Sequence, residues 1–145
     1  MNTATGRSML KQPSNQSALR ILVVDDDRNT REILTEALGL FGADVRNAGS
    51  VAEARDVLGH WHADMLVSDL GMPDENGYDL IEEVRRHPVN GERDIPAIAL
   101  TGYTRIEDRQ RALFAGYNEV LTKPAELDSL LEAIRRLAFA DPEPA

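Results

Sequence analysis

Ile21-Leu22-Val23-Val24 is a short, continuous apolar run, the pattern of a strand buried on both faces. A helical spacing follows, with Ile33, Leu34, Ala37, Leu38 and Phe41 on one face and Gly42 as its stop. Ala43 to Asn47 reads as a weaker, polar strand. Ser50 and Glu53 form a capping box that opens a second helix, lined by Ala54, Val57 and Leu58 and ended by Gly59. Met65-Leu66-Val67 is a third strand. Tyr78, Leu80, Ile81 and Val84 mark a third helix that ends before Pro88.

Ile95 to Leu100 reads as a fourth strand, with Pro96 tolerable at its start. Thr104 and Glu107 suggest a second capping box, opening a weakly amphipathic helix with Ile106, Ala112, Leu113 and Phe114 among many charges. Glu119-Val120-Leu121 is a fifth strand, and Leu127, Leu130, Leu131, Ile134 and Leu137 make a final apolar helical stripe. Strands alternating with helices predict an α/β fold, a (βα)5 three-layer sandwich around a parallel sheet. The second and fifth strands are the most polar and suit the edges, which fits a flavodoxin-like strand order of 2-1-3-4-5. In such sheets function gathers beyond the carboxyl ends of the strands.

The ends of the chain look different. Residues 1–18 are rich in Ser, Thr, Asn and Gln, hold Arg7 and Lys11 without any acid, and read as a flexible tail. The domain is expected over 19–139, with a second tail at 140–145 carrying Pro142 and Pro144. The whole chain has 16 Lys+Arg against 25 Asp+Glu, a net charge of −9, and without the two basic residues of the tail the rest of the chain carries −9 − 2 = −11. That balance argues against nonspecific nucleic-acid binding, which needs Lys and Arg to neutralise phosphates. No apolar run approaches a membrane span, and the reading is a cytoplasmic protein with no membrane partner. With no cysteine, a disulfide framework, thiolate zinc site and cysteine catalysis are excluded. His60 and His62, two apart in a loop, lack further ligands and do not suggest zinc.

The acid has a notable location. The first strand ends in Asp25-Asp26-Asp27, the third in Asp69, the fourth in Thr101 and the fifth in Lys123-Pro124. Each has an ordinary explanation alone: turn former, helix cap, loop hydroxyl, solvated lysine. Together they place reactive side chains at four strand ends on one rim of the predicted sheet. Two carboxylates about 5 Å apart repel by about 3 kcal/mol at an effective dielectric of about 20, so clustered Asp25, Asp26 and Asp69 would need positive charge. Lys123 offers one unit and a divalent cation two. Oxygen ligands without His or Cys suit Mg²⁺ or Mn²⁺, and a partly filled shell leaves room for a phosphate oxygen.

These residues resemble the receiver domain of two-component response regulators, a CheY-like family. The matching stretches are residues 21–27, Leu66-Val67-Ser68-Asp69-Leu70-Gly71-Met72-Pro73, Asn76-Gly77, Ala99-Leu100-Thr101-Gly102 and Leu121-Thr122-Lys123-Pro124. The resemblance implies that Asp69 is the phosphoacceptor in a His-Asp phosphorelay. It implies Mg²⁺ bound by Asp26, Asp69 and the backbone carbonyl of Gly71, with Asp25 acting through a water. Thr101 and Lys123 would contact the phosphoryl group, and the family's Lys-Pro bond is typically cis. The resemblance also implies a histidine kinase or phosphotransfer protein as partner, and a possible downstream protein target on the fourth helix, fifth strand and fifth helix. Two positions depart from the family's pattern. Val120 stands where an aromatic switch residue is common, with Tyr103 and Tyr117 as candidate substitutes. Gly71 replaces a side chain that often sits over the phosphate.

Two other readings compete. A haloacid-dehalogenase-like phosphatase would use Asp25 as nucleophile with Asp27, Thr101 and Lys123, but would leave Asp69 to Pro73 unexplained. A receiver-like binding module would signal without phosphorylation, but such modules usually lack an acidic or lysine position that is filled here. The preferred reading is a signalling protein, with no turnover of a diffusible substrate. No output domain is expected after the last helix, which suggests a stand-alone receiver or the receiver end of a hybrid kinase.

Overall fold

The computed structural model describes residues 9–11, 17–72, 76–87, 94–102 and 105–139. Five strands alternate with five helices: β1 Arg20–Val24, α1 Arg28–Leu40, β2 Asp44–Ala48, α2 Val51–Leu58 and β3 Met65–Asp69, then α3 Gly77–Arg85, β4 Ala97–Thr101, α4 Ile106–Ala115, β5 Glu119–Thr122 and α5 Leu127–Phe139. All neighbouring strands pair in parallel, in the order β2-β1-β3-β4-β5. The chain thus has the predicted flavodoxin-like fold, with the polar β2 and β5 at the sheet edges.

Alternation along the strands fills two cores. Ile21, Val23, Met65, Val67, Ile98 and Leu100 share one with Leu38 of α1 and with Leu130, Leu131, Ala133 and Ile134 of α5. Leu22, Val24, Leu66, Ala97, Ala99 and Val120 share the other with α2, α3 and Ala112 of α4. Because β1, β3 and β4 are covered on both faces, nearly every position in them must be apolar. Trp61, in the α2–β3 connection, packs partly buried against the second core. The Arg46 guanidinium lies 4.9 Å from the centre of its ring.

The helical faces differ from the expectation at several points. In α1 only Leu38 is buried, and Ile33 is 66% exposed. In α4 only Ala112 is buried, while Ile106, Leu113 and Phe114 face outwards. The spacing of Ile106, Leu113 and Phe114 does describe a stripe, but small Ala112 is the residue that fits against the sheet. The cap of α4 is Arg105 and makes no side-chain bond, so the expected box does not open this helix. Thr104 lies outside the described residues. At α2, Ser50 accepts from the Glu53 amide as expected, but the Glu53 carboxylate reaches the Gly49 amide rather than that of Ser50. The reciprocal box occurs instead at α3, between Asn76 and Asp79. Pro96 precedes β4 rather than starting it.

Of the expected tail over 1–18, residues 9–11 and 17–18 are described and pack against the domain, while 1–8 and 12–16 lie outside the described residues. Leu10 is fully buried among α1 and α5 residues, its amide donating to the Phe41 carbonyl at 2.8 Å. Lys11 and Ala18 form an antiparallel bridge. Met9 and Leu10 are an apolar pair in a polar segment, and burying such side chains outweighs the segment's composition. Residues 140–145 lie outside the described residues.

Arg85 knits the end of α3 to the far end of the sheet. Its guanidinium donates to the carbonyls of Ile95 and Gly116 and to Asn118 Oδ1. Gly116 has φ 135°, and a Cβ there would meet Arg85 Cγ at 2.9 Å, so this corner favours glycine twice over.

Candidate functional site

Strand register assembles the site. Val24 pairs with Ser68, Asp69 with Leu100 and Thr101 with Thr122. One residue beyond these pairs stand Asp25 and Lys123, so Asp25, Asp69, Thr101 and Lys123 reach one rim together. Oxygen atoms of Asp25, Asp26 and Asp69 all lie within 4.8 Å of one another. Among the described residues this is the one converging group of three or more potential metal ligands.

Each member is held from several sides. Asp25 is buried, and its carboxylate accepts from the Asp27 amide and from Lys123 Nζ, both at 2.9 Å. The Asp25 carbonyl accepts from Arg31 of α1 at 2.9 Å. Asp69 is 6% exposed, with Oδ1 accepting from the Gly71 amide at 3.2 Å and Oδ2 lying 3.3 Å from Lys123 Nζ. Asp26 is exposed at the rim. Thr101 is buried, and its carbonyl accepts from the Lys123 amide at 2.8 Å. The Lys123–Pro124 peptide is cis.

Electrostatics follow from this crowding. Burial raises the Asp69 pKa, with Asp25 adding to it, while Lys123 and the Gly71 amide pull the other way. Burial would lower the Lys123 pKa, but its hydrogen bond to Asp25 and the two carboxylate charges raise it. The ammonium is therefore a fixed positive charge among acids. Three carboxylates form a hard, all-oxygen donor set that fits Mg²⁺ or Mn²⁺.

Asp27 does not join the cluster. It caps α1, accepting from the amide and hydroxyl of Thr30, and the Thr30 hydroxyl lowers its pKa. A phosphatase of the competing type would need this carboxyl as a proton donor, and here it is occupied in capping.

The profile of the response regulator receiver domain matches residues 21–135. The chain belongs to the response-regulator receiver family. The receiver is 45% identical over 125 residues to an uncharacterised 14.6 kDa protein from Leptolyngbya boryana, covering 86% of this chain and 94% of the other. It is 35% identical over 129 residues to the response regulator protein PilR of Pseudomonas aeruginosa, covering 88% of this chain but only 28% of that protein. Among solved structures, the chemotaxis response regulator CheY4 of Vibrio cholerae superposes with a TM-score of 0.77 at 26% identity, covering 83% of this chain and 99% of that one. Receivers are signalling modules of two-component systems rather than metabolic enzymes, and they interact with histidine kinases or phosphotransfer proteins. They typically bind Mg²⁺ in an acidic pocket. Among the described residues of this receiver, no helix is long and apolar enough to cross a membrane.

Val120, at the position often aromatic in receivers, is buried, and its carbonyl accepts from Arg109 of α4 at 3.1 Å. Tyr103 lies outside the described residues. Tyr117 is buried, and its hydroxyl donates to the Gly77 carbonyl at 2.7 Å. Neither this contact nor the Arg31 bond to Asp25 has a signal in the sequence. The apolar run before Asp25 says nothing about a partner six residues on, and Tyr117 meets a carbonyl 40 residues away.

Proposed function

We propose that this receiver accepts a phosphoryl group on Asp69 from a phosphohistidine of a histidine kinase or phosphotransfer protein, in the presence of Mg²⁺ or Mn²⁺. The observation that carries this reading is the convergence of Asp25, Asp26 and Asp69 within 4.8 Å, with Lys123 against two of them. Asp26, Asp69 and the Gly71 carbonyl would hold the metal directly, and Asp25 through a water. When bound, the cation supplies positive charge that offsets the phosphoryl oxygens.

A carboxylate oxygen of Asp69 attacks phosphorus, forming an O–P bond as the N–P bond of the donor breaks. The bonding pair returns to the donor ring, which is protonated on its other nitrogen and leaves as neutral imidazole. Lys123 pairs with a phosphoryl oxygen, and the Thr101 hydroxyl donates to another. Burial around Asp69 limits competing water.

Phosphorylation adds charge and acceptor oxygens at the ends of β4 and β5. Thr101 and Lys123 are drawn towards them, biasing α4 and β5 between two arrangements. Two features favour α4 as the responsive element: it buries only Ala112, and Arg109 links it to β5 through the Val120 carbonyl. Its outward Ile106, Leu113 and Phe114 offer apolar area to a downstream protein on the α4-β5-α5 face. Cytoplasmic location fits this role.

The test is incubation with acetyl phosphate and Mg²⁺, read by intact mass. The wild type should gain one phosphate and Asp69→Ala none. Equal labelling of both would remove Asp69 from the role. Steady turnover of p-nitrophenyl phosphate would instead favour a phosphatase.

A further inference from the structure

Tyr117 precedes β5 and is 3% exposed, with its hydroxyl aimed at the turn that follows β3. Its acceptor, the Gly77 carbonyl, belongs to the first residue of α3. The Gly77 amide in turn donates to the Leu70 carbonyl at 3.1 Å. A Cβ on Gly77 would stand 2.5 Å from the Asp69 carbonyl oxygen, and 3.0 Å from both Leu70 Cα and the Tyr117 hydroxyl. Tyr117, Gly77, Leu70 and Asp69 are thus stacked with no room for a methyl group. The Gly71 amide donates to Asp69 Oδ1 and the Ser68 hydroxyl to the Asp69 carbonyl, and the Ser68 side chain is also hydrogen-bonded with the Tyr117 hydroxyl. Burial raises the Tyr117 pKa well above that of an ordinary phenol, so the hydroxyl stays a donor. A phenylalanine would fill this core equally well. The oxygen is what reaches the turn.

We propose that Tyr117 is a positioning residue of the acidic site: its buried hydroxyl holds the first residue of α3 against Leu70, and so fixes the Asp69 carboxylate and the Gly71 carbonyl relative to each other. This rests on the reading of Asp69 and Gly71 as partners of one cation. Two ligands two residues apart, one side chain and one backbone carbonyl, serve together only when the backbone from Asp69 to Gly71 keeps its shape. Tyr117 touches neither the cation nor the phosphoryl group and acts through Gly77 and Ser68.

Tyr117→Phe keeps the ring and removes the donor. Tyr78→Phe is the control, because Tyr78 is buried in the same core with its hydroxyl 3.5 Å from the Asp108 carbonyl of α4. The first readout is hydrogen exchange of the metal-free chain. Tyr117→Phe should speed exchange at the Gly71 and Gly77 amides and leave α5 amides unchanged, whereas Tyr78→Phe should leave Gly71 and Gly77 unchanged. The second is the Mg²⁺ dissociation constant by titration calorimetry. Losing a partner bonded straight to a metal ligand costs about 10- to 100-fold in affinity. For a contact one residue removed we expect about three- to tenfold in Tyr117→Phe and no change in Tyr78→Phe.

Unchanged exchange and affinity in folded Tyr117→Phe would overturn the proposal, as would equal effects in Tyr78→Phe. If Tyr117→Phe does not fold, the wild type decides: Mg²⁺ should shift the Tyr117 Cζ resonance and leave that of Tyr78 in place, and an unmoved Tyr117 resonance would refute the brace. Labelling by acetyl phosphate separates the two readings. An unlabelled wild type would overturn the phosphoacceptor role, while exchange and Mg²⁺ affinity would still decide the role of Tyr117.

Discussion

Replacing Asp69 by Asn should make the metal-free receiver more stable, although Asp69 faces a cation. The Lys123 ammonium lies 3.3 Å away, an attraction of about 5 kcal/mol at an effective dielectric of about 20. A carboxylate at 4.8 Å, the bound within which the cluster's ligand oxygens lie, repels by about 3.5 kcal/mol on the same scale. Asp25 is buried and counts in full, whereas exposed Asp26 counts for roughly half. Attraction and repulsion nearly cancel, which leaves the cost of holding an ionised carboxylate away from water. Lys123 keeps Asp25 as a partner at 2.9 Å, so the substitution does not orphan it. The expected gain is about 1–2 kcal/mol, or about 3–8 °C in Tm for a domain of this size.

The assay is thermal unfolding in EDTA from pH 7 to pH 4. Burial raises the Asp69 pKa above its ordinary 3.8. A carboxyl whose folded pKa exceeds its unfolded one binds its proton more tightly when folded. Its contribution to stability therefore rises as pH falls from above the folded value towards the unfolded one. Wild type should gain on Asp69→Asn across that window and lose the deficit near its lower end. Added Mg²⁺ should reverse the order, stabilising wild type more than the variant. A variant less stable than wild type in EDTA, or a gap independent of pH, would refute the reasoning.

Two further substitutions address the parts of the fold that differ from expectation. Leu10→Ala should cost about 2–4 kcal/mol in denaturant unfolding, because its side chain is fully buried, and a loss below about 0.5 kcal/mol would return residues 9–11 to the tail. Phe114 is 95% exposed, so Phe114→Ser should change stability by no more than about 0.5 kcal/mol and leave acetyl phosphate labelling intact. A larger loss of stability would place Phe114 in the core.

What was legible in the sequence follows from burial and register. β1, β3 and β4 are covered on both faces, so their apolar runs stand out, and the polar edges mark β2 and β5. The residues that close these strands inherit their positions from the ladder, which is why Asp25, Asp69, Thr101 and Lys123 could be placed on one rim. Helical faces were harder. An apolar stripe shows that a face exists, but not that it points inwards, and Ile33, Ile106 and Phe114 all point out. Long polar or aromatic side chains were harder still. Arg85 and Tyr117 meet partners 31 and 40 residues away, and nothing adjacent to them in the chain encodes those contacts.

The position of Trp61 has a practical consequence. It is the single tryptophan of the chain and precedes Met65, where β3 begins, whereas Asp69 ends that strand. The strand between them spans about 16 Å. Its emission is therefore a gauge of folding that the chemistry at the other end leaves undisturbed. Unfolding curves followed at this indole, with and without Mg²⁺ or phosphate, can be subtracted from one another to give binding energies free of quenching artefacts. Occupancy of the rim itself needs a different reporter, such as a fluorophore introduced beside Asp26.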